Sequence, residues 1–263
     1  MKAILSALLL TITSFVFSQD FEVAPVVLNF TANPGEIQQA TVTIRNHANI
    51  KQGYTFNFGD FEIDAEGNKK RMPAGTSSRS CANWITVNPS FIELNPNEER
   101  EVTVIMTVPK DGNSSRWGMI YVQASDEQSE NPVDKQLATG IKVVPRIVIL
   151  VNQSPTINNN YKAEIANLVE VTAPEDSLKT FNVTVTNTGD KIIEANVGLV
   201  LANLETAAEQ KFPTSMMRVY PGEKRTFTLT LPNNLGSGKH ALAAILDYGH
   251  GTNLEGTQLL IDL

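Results

Sequence analysis

Residues 40–46 read Ala40-Thr41-Val42-Thr43-Ile44-Arg45-Asn46, and residues 181–187 read Phe181-Asn182-Val183-Thr184-Val185-Thr186-Asn187. In both runs apolar residues alternate with Thr, Asn or Arg and an Asn ends the run. That is the pattern of a strand with one face in a core and the other in water. Each run is followed downstream by the same second signal. The turn Asn95-Pro96-Asn97-Glu98 leads into Val102–Val108 and Pro109, and Tyr220-Pro221-Gly222-Glu223 leads into Thr226–Leu231 and Pro232. The terminal asparagines lie about 140 residues apart and the later prolines about 120 apart, so the first copy carries extra residues between its landmarks. Two related β-sandwiches are the economical reading.

Working outward, the remaining segments follow the same grammar of short runs cut by turn residues. No stretch holds a helical period over three turns. Phe21–Phe30 reads as the first strand; Tyr54, Phe56 and Phe58 alternate through another, and Asp64-Ala65-Glu66-Gly67-Asn68 reads as a hairpin turn. Trp84–Val87, Phe91–Leu94, Trp117–Ala124 and Ile141–Val151 complete the first unit. The predicted fold is all-β, two immunoglobulin-like sandwiches in tandem. The division is placed in Asn152-Gln153-Ser154-Pro155-Thr156, giving units 19–152 and 153–263. Tyr161–Val171 could open the second unit as a strand or as a short helix. A length of 263 residues suits two such domains.

The N-terminus carries its own message. Met1-Lys2 precedes an apolar stretch from Ala3 to Phe17, interrupted by Ser6, Thr11, Thr13 and Ser14, and short of the roughly 20 apolar residues a membrane span needs. It reads as a secretory signal peptide, 1–18, cleaved after Ser18, and it predicts a periplasmic product with no membrane span. Loss of Lys2 leaves 20 basic against 28 acidic side chains. An acidic chain has no general attraction for nucleic-acid phosphates or an anionic bilayer. The single Cys, Cys81, can form no internal disulfide and reads as a buried small hydrophobe.

Chemistry-bearing residues are few and scattered. His47, His240 and His250 fall in separate contexts, and Asp247-Tyr248-Gly249-His250-Gly251 reads as a hairpin turn rather than as metal ligands. Ser77, Ser78 and Ser80 flank Arg79 without a nearby His, and no nucleophile elbow or phosphate-cradling glycine motif occurs. The sequence therefore predicts no catalytic residue, no metal and no cofactor. Trp84 and Trp117 read as structural, with stacking on sugar rings the alternative for Trp117.

The first unit resembles the periplasmic chaperones of the chaperone-usher pilus pathway. The likeness lies in Val23-x-Pro25 leading to Phe30, Asn33-Pro34-Gly35-Glu36, Val42-x-Ile44-x-Asn46, Trp84-Ile85-x-Val87-x-Pro89, Leu94-x-Pro96 and Val102 to Pro109. It covers roughly residues 21–152, with a weaker echo in 175–263. The resemblance implies a non-enzymatic protein that binds an exported protein or surface-appendage subunit. In that family the last strand of the first domain lends alternate side chains to the partner by β-augmentation. Carried onto this chain, Ile141 and Val143 would be the donated side chains, with Lys142 between them and Arg146 beyond Pro145, whose missing amide donor favours a strand edge. The family anchors a terminal carboxylate with an Arg on the first strand and a Lys on the last. Here the first strand offers Pro25-Val26-Val27-Leu28 and the last offers Val148, leaving Arg146 as the candidate cation, expected near an inter-domain cleft. The alternative from another class is a structural or adhesive envelope module that binds cell-wall glycan or a surface assembly.

Overall fold

The computed structural model describes residues 20–64, 67–125, 144–251 and 253–263. The expected signal peptide, and Ile141, Lys142 and Val143, lie outside the described residues. The first unit contributes β1 (Phe21–Ala24), β2 (Val27–Phe30), β3 (Ile37–Asn46), β4 (Gln52–Ile63), β5 (Lys69–Pro73), β6 (Ile85–Asn88), β7 (Phe91–Leu94), β8 (Glu99–Thr107), β9 (Arg116–Ala124) and β10 (Arg146–Gln153). These form a four-stranded sheet ordered β1-β3-β8-β6 and a six-stranded sheet ordered β2-β10-β9-β4-β5, with β7 also on β4. The second unit contributes β11 (Ala163–Glu170), β12 (Leu178–Asn187), β13 (Ile193–Asn203), β14 (Glu209–Lys211), β15 (Ser215–Val219), β16 (Lys224–Pro232), β17 (Lys239–Asp247) and β18 (Leu254–Asp262). Its sheets are β11-β12-β16 and β14-β13-β17-β18, with β15 on β13. Two immunoglobulin-like sandwiches thus stand in tandem, and β10 runs to Gln153, one residue past the expected division.

Alternation becomes burial as expected. In β12, Phe181, Val183 and Val185 are fully buried while Asn182, Thr184 and Thr186 point the other way. In the first sandwich Val42, Ile44, Val102 and Val104 face Tyr54, Ile120, Val122, Ile149 and Val151 across one core. The open alternative at Tyr161–Val171 resolves as the strand β11.

The two terminal asparagines explain the repeat. Asn46 and Asn187 are both fully buried. The Asn46 Nδ2 donates to the carbonyls of Ile50 and Leu94 at 2.8 and 3.1 Å; that of Asn187 donates to Lys191 and Val219 at 2.8 and 2.9 Å. Each Oδ1 accepts the amide two residues on, at Ala48 and Gly189. The Pro-containing turns close onto the same residues, Asn97 and Gly222 donating their amides to the Asn46 and Asn187 carbonyls. Asn97 and Gly222 both have positive φ, 62° and 83°, which is why Asn or Gly occupies that place.

One expected strand splits. Phe21–Phe30 is two strands in different sheets: β1 pairs β3, whereas β2 pairs β10 in parallel. The switch falls at Pro25, which cannot donate to a ladder.

Candidate functional site

The switch decides which backbone groups of β10 are covered. On one side β9 pairs the whole strand, from Arg146↔Gln123 to Gln153↔Arg116. On the other, β2 pairs only Leu150–Gln153. The amides of Leu150 and Ser154 donate to Val26 and Phe30 at 2.9 Å, so even-numbered residues turn their backbone groups toward β2. Arg146 and Val148 therefore present N–H and C=O groups to a side where no strand pairs among the described residues. Their odd-numbered neighbours Ile149 and Val151 are buried in the first core, with Ile147 packed against it.

Beside this edge the outer face of the sheet is apolar. Val148 and Leu150 pack with Met119, Tyr121, Trp117 and Phe61. Arg146 begins the strip. Its guanidinium lies 5.0 Å from the Tyr121 ring centroid, and its Nε and Nη2 donate to Gln123 Oε1 at 3.2 and 2.8 Å. Stacking and the shared acceptor hold this exposed cation in one orientation.

The other end of the strip is the junction between the sandwiches. Tyr220, from the turn of the second unit, meets Phe61 and Trp117 edge-on, with ring centroids 5.6 and 5.0 Å apart. Its hydroxyl donates to Asn152 Oδ1 at 2.9 Å, and burial pushes its pKa up. Trp117 is 5% exposed and its Nε1 donates to the Phe61 carbonyl at 3.0 Å, which leaves no ring face for a sugar. On one flank Arg79 is ion-paired with Asp190, which also accepts from the Ser115 amide and Asn158 Nδ2. On the other, Arg225 reaches the Gly67 carbonyl of the β4–β5 hairpin at 2.9 Å, and Lys69 lies 5.9 Å from both the Phe61 and Tyr220 rings. Glu223, buried beneath this contact, has its pKa raised by desolvation against the pull of the Tyr220 amide, Arg225 and Lys69.

Arg146 does not stand at the inter-domain cleft. It is six residues up β10 from Asn152, roughly 20 Å along the strand, because Pro145 precedes the strand and the junction lies at its far end. One cleft between the sandwiches, of about 400 Å³, is lined by Asn29, Asn152, Tyr161, Lys191, Glu194 and Arg218, and another by Arg79, Trp117, Pro221 and Glu223. The cations of the first are engaged: Lys191 donates to the Pro155 carbonyl at 2.6 Å, and Arg218 pairs with Glu194 at 3.0 Å. Val148 lies in the apolar strip. The one signal in the sequence for the junction was Tyr220 standing where the first copy of the turn has Asn95.

The remaining candidates are held apart. His47 bonds Glu22, His240 bonds the Gly238 carbonyl, and His250 stacks on Tyr161 with centroids 4.8 Å apart. Asp247 caps its hairpin by accepting the Gly249 amide. Near Arg79, the buried Asp60 carboxylate accepts from the amides of Thr76 and Ser77 and from the Ser80 hydroxyl, fixing the loop. Cys81 is buried, and burial pushes its thiol pKa far up. No helix among the described residues is long and apolar enough to cross a membrane.

No family model matches the chain, and no curated protein matches it. Among solved structures it is similar to the class 5 fimbriae chaperone CfaA, at 13% identity and a TM-score of 0.49, covering 91% of this chain and 98% of that one. It is also similar to a chain of a chaperone–tip adhesin complex of CFA/I fimbriae biogenesis, at 12% identity and a TM-score of 0.48, covering 92% and 98%. A third similarity is to a chain of the complex of Salmonella enterica SafA pilin with the SafB chaperone, at 12% identity and a TM-score of 0.42, covering 91% and 96%. The likeness is to fimbrial chaperones and their complexes, and at these scores it assigns no role to any residue of this chain.

Proposed function

We propose that this chain is an exported, non-enzymatic protein that binds a partner protein by adding the partner's strand to the free edge of β10, in the manner of a periplasmic pilus-assembly chaperone. The observation that carries this reading is the half-covered strand: β9 pairs all of β10, whereas β2 pairs it only from Leu150 on, and among the described residues no strand pairs the Arg146 and Val148 backbone groups on that side. Unpaired N–H and C=O groups in a row beside apolar side chains are the template for strand addition. An incoming strand would lie in line with β2, with Val148 and Tyr121 beside one of its faces and the Ile147 side of the core beside the other. Arg146 is oriented to meet an acidic side chain on it. Ile141 and Val143, with Lys142 between them, are proposed to extend the contact toward the N-terminal end of the strand.

The test is affinity capture from periplasm with the native chain and with Val148→Pro. Proline removes an N–H that faces the open side and leaves the odd-numbered amides bonded to β9. The native chain should recover a protein partner that the variant, still folded by circular dichroism, does not. Equal recovery by both chains, or recovery of nothing beyond the chain itself, would refute the proposal.

A further inference from the structure

The outer face of the sheet β14-β13-β17-β18 differs from the outer face of its partner sheet. On β12 and β16 the outward cross-strand pairs are polar: Thr180 with Thr230, Asn182 with Thr228, and Thr184 with Thr226. On β17 the outward residues are Ala241, Ala243 and Ile245, because Leu242, Ala244 and Leu246 are buried in the core. Their neighbours are Ala202, Val200 and Gly198 on β13, and Leu260, Gln258 and Gly256 on β18. Leu260 is 70% exposed. The centre of this face is uncharged and built of small side chains, with Leu254 and Leu260 protruding from β18. Charges stand at its margins, Glu209 and Lys211 on β14, Lys239 and Asp247 at the ends of β17 and Asp262 on β18. So apolar a centre is unusual on a surface facing water.

We propose that this face is the contact of a weak symmetric dimer of the chain. The occupant follows from the face's own pattern. A two-fold axis in the plane of contact, crossing the strands at Ala243 and Gln258, lays β17 and β18 antiparallel over their copies. Residues equally far on either side of the axis then meet. Leu260 lies over Gly256 of the second copy, a side chain entering a gap left by a missing one. Ala241 lies over Ile245, and Ala243 over its own counterpart. At the ends of the strands, Lys239, paired across the sheet with its own chain's Asp262, lies over Asp247 of the second copy, so opposite charges meet at both rims, and Asp262 lies over the second copy's Leu254. Another class of protein partner is disfavoured because the face lacks the aromatic and Arg anchors that concentrate binding energy. Small residues instead let two sheets pack face to face at about 10 Å.

The size sets the affinity. Three strands about 4.8 Å apart and nine residues long present on the order of 400 Å² per copy. That is below the roughly 800 Å² per partner of a stable complex. A dissociation constant in the range of about 10 µM to 1 mM is therefore expected.

The test is sedimentation equilibrium of the chain purified after export, from about 5 µM to 1 mM at low salt, a span set by that affinity. The native chain should show a reversible monomer–dimer equilibrium. Leu260→Asp places a carboxylate against the second copy's Gly256, and Ala243→Arg places two cations on the axis. Each should remain monomeric throughout while keeping the native circular dichroism and thermal transition. Lys239→Glu should weaken the dimer several-fold, and Val148→Pro should leave it unchanged. A native chain that stays monomeric at the highest concentration overturns the proposal. So does a dimer that survives both Leu260→Asp and Ala243→Arg, or one lost in Val148→Pro, since another surface would then hold it. None of these outcomes bears on the β10 edge except the last.

Discussion

Replacing Asn187 tests the buried knot on which each sandwich turns. The side chain is fully buried and makes three bonds: Nδ2 to the Lys191 and Val219 carbonyls at 2.8 and 2.9 Å, and Oδ1 from the Gly189 amide at 3.0 Å. Asn187→Ala removes all three, at about 1 kcal/mol each, so the expected loss is about 3 kcal/mol. Asn187→Asp keeps the Gly189 bond but turns the two donated bonds into oxygen–oxygen repulsion. It should therefore cost more than alanine at neutral pH. The buried carboxyl in that variant would have a folded pKa above its unfolded one. Its penalty is thus present above the folded pKa and is relieved as pH falls through it, narrowing the gap to alanine in acid. Calorimetry and urea unfolding followed by circular dichroism read both effects. A loss below about 1 kcal/mol for Asn187→Ala, or an aspartate variant as stable as the native chain at pH 7, would refute the reasoning, since either would mean that the knot carries no net stability.

Other outcomes follow from the same physical terms. Glu223 has a raised folded pKa, so its ionised form is disfavoured in the fold. Glu223→Gln should be at least as stable as the native chain at pH 7, and its advantage should vanish as pH falls through the raised pKa toward the ordinary carboxylate range, as pH-dependent denaturant melts would record. Tyr220→Phe removes the 2.9 Å bond to Asn152 and should cost about 0.5–1.5 kcal/mol, measured by urea unfolding. Trp117→Ala empties the centre of the junction cluster and should cost about 3–5 kcal/mol. It should also loosen the two sandwiches relative to each other, read as a larger radius of gyration in solution scattering. In the partner assay, Arg146→Glu should weaken capture while leaving the thermal transition within about 0.5 kcal/mol, since Arg146 is exposed and among the described residues bonds only Gln123 and the Tyr121 face.

The sequence by itself determined the strands and the repeat, because both are written locally. Period-two alternation in Ala40–Asn46 and Phe181–Asn187 fixes which side chains enter a core. Asn97 and Gly222 occupy turns whose backbone most other residues resist. The strand that splits at Pro25 was read as one run because alternation continues across the switch, and a period in sequence does not say which sheet receives it. How far β2 covers the second edge of β10 is set by pairing across more than 100 positions, Leu150 with Val27, so only the tertiary structure shows that no strand pairs Arg146 and Val148 on that side among the described residues and that Arg146 stands away from the junction. The junction itself joins Asn152 to Tyr220 and Arg79 to Asp190, contacts with no short-range pattern behind them. The same limit hides the apolar outer face of β17. Ala241–Leu246 is apolar on both sides, and alternation cannot mark an inside where every residue would suit it. Burial on one side and an uncovered surface on the other are decided by the sheet packed beneath, through the core that Leu242, Ala244 and Leu246 share with Phe181, Val183 and Phe227.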